Sequence, residues 1–304
     1  DDRGLPWDGT AAALAGARAP AGALVDAAVA DRSGATIFVD CTSDDALPDA
    51  YPDLLGAGVA VVAANKKGFA GPMEGYLARR RAPAARSYLE ATVGAGLPVL
   101  RAVEDLHATG DEILEAEGVL SGTLAYLFSE VTAGRAFSDA VLGARKLGYT
   151  EPDPRADLSG QDVLRKLVIL SREIGWPLEP EDVVVHPILP GDGWDELSVD
   201  GFLARLPEVD DHFAALRDGA AARGTRLCFL ASVREGHASV AVREIPPEHV
   251  CYGLAGTDNM VAMRTKRYGS PLVIRGSGAG REVTATGVLA DILRSIHERR
   301  GPER

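Results

Sequence analysis

Long apolar runs, a secretory leader, paired cysteines and an excess of positive charge are all missing from this 304-residue chain, and each absence closes off a class of function. No apolar run approaches the roughly 18 residues needed to span a bilayer, and the opening DDRGLPWDG has neither the basic start nor the apolar core of a signal peptide. Cys41, Cys228 and Cys251, without close spacing, supply neither a disulfide framework nor a zinc set. Such usage suits a reducing compartment, so the cytoplasm is the expected setting. The six histidines share no spacing, and neither a P-loop nor a serine nucleophile elbow is present. A net charge of −12 argues against nucleic acid or an anionic membrane as partner. What remains is small-molecule chemistry. A composition 46% hydrophobic and 25% charged can fill the core of one large or two ordinary globular domains.

The first third reads as alternating helices and buried strands. A helix around residues 22–30 leads to TIFVDC (36–41), then Thr42 and Ser43, then a helical stretch over 44–55 stopped by Gly56 and Gly58. VAVVAAN (59–65) follows and ends at Asn65, Lys66 and Lys67. Two strands apolar throughout, joined by a helix, predict a parallel sheet covered on both faces, with ligands beyond the carboxyl ends of its strands. A lysine pair at such an end equally serves to meet water. After an Arg-rich helix (72–81), YLEATVGAGL (88–97) reads as a strand breaking into glycines. Gly94 and Gly96 permit either a bare tight bend or carbonyls turned toward a weakly bound cation. Ser121 caps a helix with Leu124, Leu127, Phe128 and Val131 on one face, and Ser138 caps another that ends at Gly148. The free N–H groups at 121–123 could meet an anionic or carbonyl group.

Residues 148–166, GYTEPDPRADLSGQDVLRK, organise the rest. Pro152 and Pro154 keep the loop non-helical until it has passed them. Ser159 with Asp162 then reads as a helix N-cap, followed by apolar Val163, Leu167, Leu170 and Ile174. Asp162 and Lys166 lie one turn apart, with Glu151, Asp153 and Asp157 close by, a candidate proton-transfer site. A pair at this spacing is also common as a solvated surface pair. Beyond it, VVVHPILP, RLCFLASV and SVAVREIP read as strands around one helical interval near 209–222, α+β in texture. PLVIRG (271–276) delivers GSGAG and a closing helix. A strand, glycine-rich turn and helix let backbone approach a phosphate or an amide, though packing alone also selects such turns.

Taken together, VDCTS (39–43), the Asn65–Lys67 strand end, EATVGAGLPV (90–99), GVLSGTLAYLF (118–128), residues 137–166 and RGSGAGREVTATGVLADILR (275–294) resemble homoserine dehydrogenase. The likeness is strongest to the dehydrogenase half of bacterial bifunctional aspartokinase–homoserine dehydrogenases. The resemblance implies an α/β fold with a Rossmann-like parallel sheet and a second α+β substrate and dimerisation domain. Expected boundaries are 1–97 for nucleotide binding, 98–274 for catalysis and dimerisation, and 275–304 for a turn and helix returning to the first domain. It implies reversible reduction of aspartate 4-semialdehyde to homoserine with NADPH or NADH, in threonine and methionine biosynthesis, by a homodimer.

By the same resemblance, Lys166 is the proton donor and acceptor, Asp162 orients it and meets substrate, and Glu151 binds the substrate amino group with Asp157 in support. Lys66 lies between nicotinamide and substrate. Thr42, Ser43, Asn65, Lys66, Gly278, Ala279 and Gly280 face the cofactor, and the carbonyls of Glu90, Val93, Ala95 and Leu97 hold a monovalent cation, Na+ or K+. The family's opening strand and G-x-G-x-x-G turn have no counterpart here, which leaves the NAD/NADP preference open; the expectation is that a preceding segment is omitted from this sequence. Two alternatives stand beside this reading: a dehydrogenase of specialised metabolism acting on a related amino-acid semialdehyde, and a catalytically silent dimerisation or regulatory module.

Overall fold

The computed structural model describes residues 20–31, 33–82 and 84–300; the expectations placed on the first nineteen residues lie outside this range. Helix α1 (Ala21–Ala30) precedes strand β1 (Ile37–Asp40). A 3-10 turn (Leu47–Ala50) and helix α2 (Tyr51–Gly56) then lead to β2 (Ala60–Ala63). The helix expected over 44–55 is thus shorter and begins as 3-10, because Pro48 and Pro52 lie where an α-helix would need their N–H groups. Helices α3 (Lys67–Ala70) and α4 (Met73–Arg80) connect to β3 (Ser87–Tyr88). β1, β2 and β3 form a parallel three-stranded sheet, with Val39 opposite Val62 and Val62 opposite Tyr88. All four residues of β2 are buried, which is why its sequence is apolar on both faces.

The strand expected over 88–97 is a correction: only Ser87 and Tyr88 pair, and the chain then turns through a 3-10 segment (Glu90–Thr92) and left-handed Gly94 and Ala95. The cause is the Glu90 carboxylate, which turns inward to accept the N–H groups of Leu100 and Arg101 at the start of helix α5 (Val99–Ala108). Strand β4 (Ile113–Val119) and helices α6 (Gly122–Thr132) and α7 (Phe137–Lys146) follow. Ser121 caps α6 by accepting the Leu124 N–H. Ser138 does not cap α7; Ala136 is the N-cap, and Ser138 is drawn to the Asp210 carboxylate through both its N–H and its hydroxyl.

Helix α8 (Arg155–Leu158) starts immediately after Pro154, and α9 runs Gln161–Ile174. The cap of α9 is Gly160 at φ 69°, not Ser159, which ends α8 and offers its hydroxyl to the Gln161 N–H. A left-handed residue separates the two helices in so few positions, and that backbone conformation favours glycine, while a Cβ there would meet Phe229 and Val185 only at ordinary contact distance. Val163, Leu167, Leu170 and Ile174 are buried as their spacing predicts.

The remaining elements are β5 (Val183–Val185), α10 (Val199–Arg205), α11 (Asp210–Ala222), β6 (Arg226–Arg234), β7 (His237–Ile245), β8 (Asp258–Thr265), β9 (Leu272–Ser277) and α12 (Arg281–Arg300). The sequence reading contains neither α10 nor β8. The second sheet has order β5-β7-β6-β4-β8-β9, antiparallel except for the β5–β7 pair. Helices α6, α9 and α11 pack on its β6, while α12 returns to β1 and β2. The architecture is therefore α/β, a parallel sheet joined to a second, mixed sheet. Helix α9 touches both layers, packing on β6 and on α3.

Candidate functional site

The carboxyl ends of β1 and β2 are shaped by one buried carboxylate. Asp40 accepts the Thr42 N–H at 2.7 Å, the Tyr51 hydroxyl and the Asn65 amide at 3.1 Å. Asn65 also donates to the Asp44 carbonyl and accepts the Lys67 N–H, so its side chain ties the two strand-end loops together. Lys67 is bound to the Ser43 carbonyl at 2.7 Å and to Asp45. Of these strand-end residues, Lys66 is the one that reaches across to helix α9.

Its partner is Asp162. One carboxylate oxygen lies 3.2 Å from Lys66 Nζ and the other 2.8 Å from Lys166 Nζ. Lys166 also donates to the Leu120 carbonyl at 2.7 Å, which fixes its ammonium at the start of α6. The Lys166 side chain is 13% exposed and Lys66 29%, whereas Asp162 is 45% exposed and faces open space. Burial among neighbouring atoms pushes the Asp162 carboxyl up, but the Lys166 and Lys66 ammoniums outweigh it and hold the group at about 2. A negative charge shared by two lysines is thus fixed at the junction of the two sheets.

Lys66 and Asp162 line a cleft of about 670 Å³ together with Thr42, Ser43, Asn65, Glu151 and Asp157, and Lys166 stands behind the Asp162 carboxylate rather than in the lining. Asp157 accepts the Glu151 N–H at 2.8 Å, which holds the loop against α8. Burial raises its carboxyl above the usual range, and the nearby Glu151 and Asp162 charges add to that, against the Glu151 N–H and the Thr123 hydroxyl. Asp153, Ser121 and Arg165 also line the cleft; Asp153 and Ser121 stand among the groups singled out in the sequence, whereas Arg165 was missed although it carried a signal, a cation next to Lys166 on α9.

Besides Lys166, two groups of expected residues do not line this cleft. Gly278, Ala279 and Gly280 form the turn between β9 and α12, where Gly278 lies so close to Asn259 that a Cβ would fall 1.9 Å from its amide carbon. Gly280 has φ 113°, so the turn needs glycine at both positions for different reasons. Residues 90–97 pack instead beneath α12. There the Glu90 carbonyl accepts the Val93 N–H at 3.3 Å and the Leu97 carbonyl the Val99 N–H at 2.8 Å, each keeping a second lone pair. Among the described residues no cluster of His, Cys, Asp and Glu side chains is arranged to hold a metal ion.

Comparison with known proteins points the same way. A family model described as homoserine dehydrogenase matches residues 98–293, and one described as the NAD binding domain of homoserine dehydrogenase matches residues 10–93. The chain is 45% identical over 264 residues to bifunctional aspartokinase/homoserine dehydrogenase 2, chloroplastic, of Zea mays, covering 85% of this chain and 29% of that one. It is 42% identical over 284 residues to the homoserine dehydrogenase of Emericella nidulans, covering 88% of this chain and 77% of that one. Thus the chain spans under a third of the plant relative's length. Among solved structures, a Candida auris protein of unknown function superposes with a TM-score of 0.85 at 37% identity, covering 92% of this chain and 81% of that one. A hyperthermophilic archaeal homoserine dehydrogenase in complex with NADPH gives 0.70 at 25% identity, covering 94% and 77%.

Proposed function

The chain belongs to the homoserine dehydrogenase family, and from that premise we propose that it catalyses the reversible, NAD(P)H-dependent reduction of L-aspartate 4-semialdehyde to L-homoserine. The observation that carries the proposal is Asp162, on the cleft wall, bridging Lys66 and Lys166. When bound, the nicotinamide supplies the hydride in the reductive direction and receives it in the other. Lys166 balances the charge: its ammonium gives a proton to the substrate oxygen that would otherwise become an alkoxide, and takes one back in reverse. Asp162 keeps that ammonium oriented and aligns Lys66 beside the substrate, while Glu151 and Asp157 supply negative charge for the substrate's amino group.

Thr42, Ser43, Asn65 and Lys66 are the proposed cofactor-facing residues of the parallel sheet, and Gly278, Ala279 and Gly280 those of the turn. A dinucleotide fits this assignment at Gly280, where nothing stands within 4 Å of the Cβ position, whereas Gly278 is bare because Asn259 packs against it. The carbonyls of Glu90, Val93, Ala95 and Leu97 form the proposed site for Na+ or K+, supported by the left-handed backbone at Gly94 and Ala95 that turns successive carbonyls. The division at 1–97, 98–274 and 275–304 belongs to the same proposal; the break after 97 is supported by the two family matches and the return of 275–304 to the first domain by α12 packing on β1 and β2. So do a homodimer, testable by light scattering after gel filtration, and a cytoplasmic setting, for which among the described residues no helix is long and apolar enough to cross a membrane.

The decisive experiment is homoserine-dependent formation of reduced nicotinamide by the purified natural protein and its Lys166→Ala variant. The variant is expected to lose about 10²- to 10⁴-fold in kcat, the usual worth of a positioned acid or base, with an unchanged Tm. Near-normal turnover by the variant would remove Lys166 from the chemistry.

A further inference from the structure

The loop that carries Glu151 to the cleft has little to hold it. Pro152 and Pro154 have no N–H, and the stretch before α8 belongs to no helix or strand. From inside it is held by Asp157, through the Glu151 N–H, and by the Thr123 hydroxyl on the Tyr149 carbonyl. Asp153 accepts the Arg155 N–H and, through its carbonyl, the Ala156 N–H, both at 3.1 Å within the loop, and the side chain that ties it to a separate outer segment is that of Arg155.

Arg155 Nε donates to both Asp153 carboxylate oxygens, at 3.0 and 3.1 Å, and one Nη donates to the same carboxylate at 2.7 Å. The other Nη lies within hydrogen-bond distance of three carbonyls on a separate segment, those of Trp194, Asp195 and Leu197, at 3.2, 3.1 and 2.8 Å. That segment is itself anchored. The Trp194 ring packs edge-on against Phe202, Arg205 stacks on it at 4.3 Å, and its Nε1 donates to the Pro190 carbonyl. Phe202 is fully buried. Asp153, the carboxylate in the fork, forms part of the cleft wall, while the far side of Arg155 borders a second cavity of about 420 Å³. The guanidinium therefore spans the full thickness between the cleft and a rigid buttress.

We propose that Arg155 is a positioning residue for substrate: by fastening Asp153 to the 194–197 segment it sets where Glu151 and Asp157 stand in the cleft. This rests on the reading of those two carboxylates as the amino-group site. A planar fork that satisfies a carboxylate on one edge and carbonyls on the other is matched by guanidinium and not by ammonium. Lysine at this position would keep the charge and lose the bridge. Among the described contacts Arg155 makes none with Lys166 or Asp162, so its loss bears on substrate affinity rather than on proton transfer.

The test uses the full natural protein, with Arg155→Gln, Arg155→Lys and Asp153→Asn. Arg155→Gln is expected to raise KM for homoserine about tenfold or more, with kcat and the nicotinamide KM changed less than about threefold, and Arg155→Lys to recover only part of it. Asp153→Asn should raise KM in the same direction, and the double variant should be no worse than Arg155→Gln alone, as for residues that act as one unit. A readout independent of turnover is hydrogen exchange in the peptide covering 148–158, which should accelerate in Arg155→Gln while peptides of α9 do not. Faster exchange in a protein that never oxidises homoserine would sink the functional reading and leave the positioning role standing. A wild-type KM with wild-type exchange at 148–158, or a uniform loss of kcat with a lowered Tm, would overturn the role.

Discussion

Asp162 is pulled in two directions, since its surroundings disfavour its charge while Lys166 and Lys66 demand it. The lysines win, and the carboxyl titrates at about 2. A group depressed below its unfolded value of about 3.9 adds stability at all pH above that value, and the gain disappears as pH falls from about 4 to 2. Asp162 is consequently ionised wherever the enzyme is assayed. Asp162→Asn should lower kcat by about 10- to 100-fold through misplaced ammoniums, while costing about 1 kcal/mol or less in stability because the pair is half open to water. The check is a pH–rate profile: any acidic limb between pH 5 and 7 in the wild type should survive in Asp162→Asn, and a limb that vanishes there would contradict the assignment. The Asp162–Lys166 half of this arrangement was legible in the sequence, since a four-residue spacing on a helix brings side chains together. The Lys66 contact and the Leu120 carbonyl were not, because only the packing of two sheets brings residues 66, 120 and 162 together.

Helices show the same division between local and distant causes. α6, α9 and α12 announce themselves through apolar spacing and flanking glycines; the buried residues of α6 and α9 fall where the period puts them, whereas α12 buries Asp291 and Ser295 and exposes Leu289 and Leu293. The cap at Ser138 was misread because its hydroxyl is claimed by Asp210, 72 residues away. β8 was missed because a short apolar stretch between polar ends becomes a central strand only when β4 and β9 flank it. The strand over 88–97 was lost to Glu90 capping α5. α12 also makes a contact that the sequence shows only as a glycine: a Cβ on Gly287 would lie 2.6 Å from the Ala95 carbonyl oxygen, and one on Gly96 would lie 2.4 Å from that of Val283. Helix and turn meet backbone to backbone. Gly287→Ala should wedge them apart and cost about 1–3 kcal/mol, the range for overpacking a tight site, despite alanine's better helix propensity. Urea unfolding measures it, and an unchanged or raised midpoint would show that the contact gives way freely.

On the scale of the whole molecule, α12 is tied to the parallel sheet through a pair of buried acids whose pH response is opposite to that of Asp162. Asp291 on α12 accepts the Glu90 N–H at 2.8 Å, and Glu90 in turn caps α5, so three elements meet at two carboxyls. Burial raises Glu90 to about 7, against the N–H groups of Leu100 and Arg101 and with the Asp291 charge adding to it; burial raises Asp291 to about 6, against the Glu90 N–H and Arg294. Arg101 also opposes both shifts, and Glu104 adds to that of Asp291. For acids raised above their unfolded values the folded state keeps protons that the unfolded chain has already released, so stability is greatest below about pH 4 and falls as pH rises through 6 and 7. The Asp162 contribution is lost only below pH 4, and the two windows do not overlap. Asp291→Asn keeps an oxygen for the Glu90 N–H and has no proton to lose. Its Tm should therefore fall less between pH 5 and pH 8 than that of the wild type, with Lys166-dependent turnover intact because residue 291 lies outside the cleft lining. If both proteins lose the same Tm over that interval, the acids at the foot of α12 do not set the alkaline side of the stability curve.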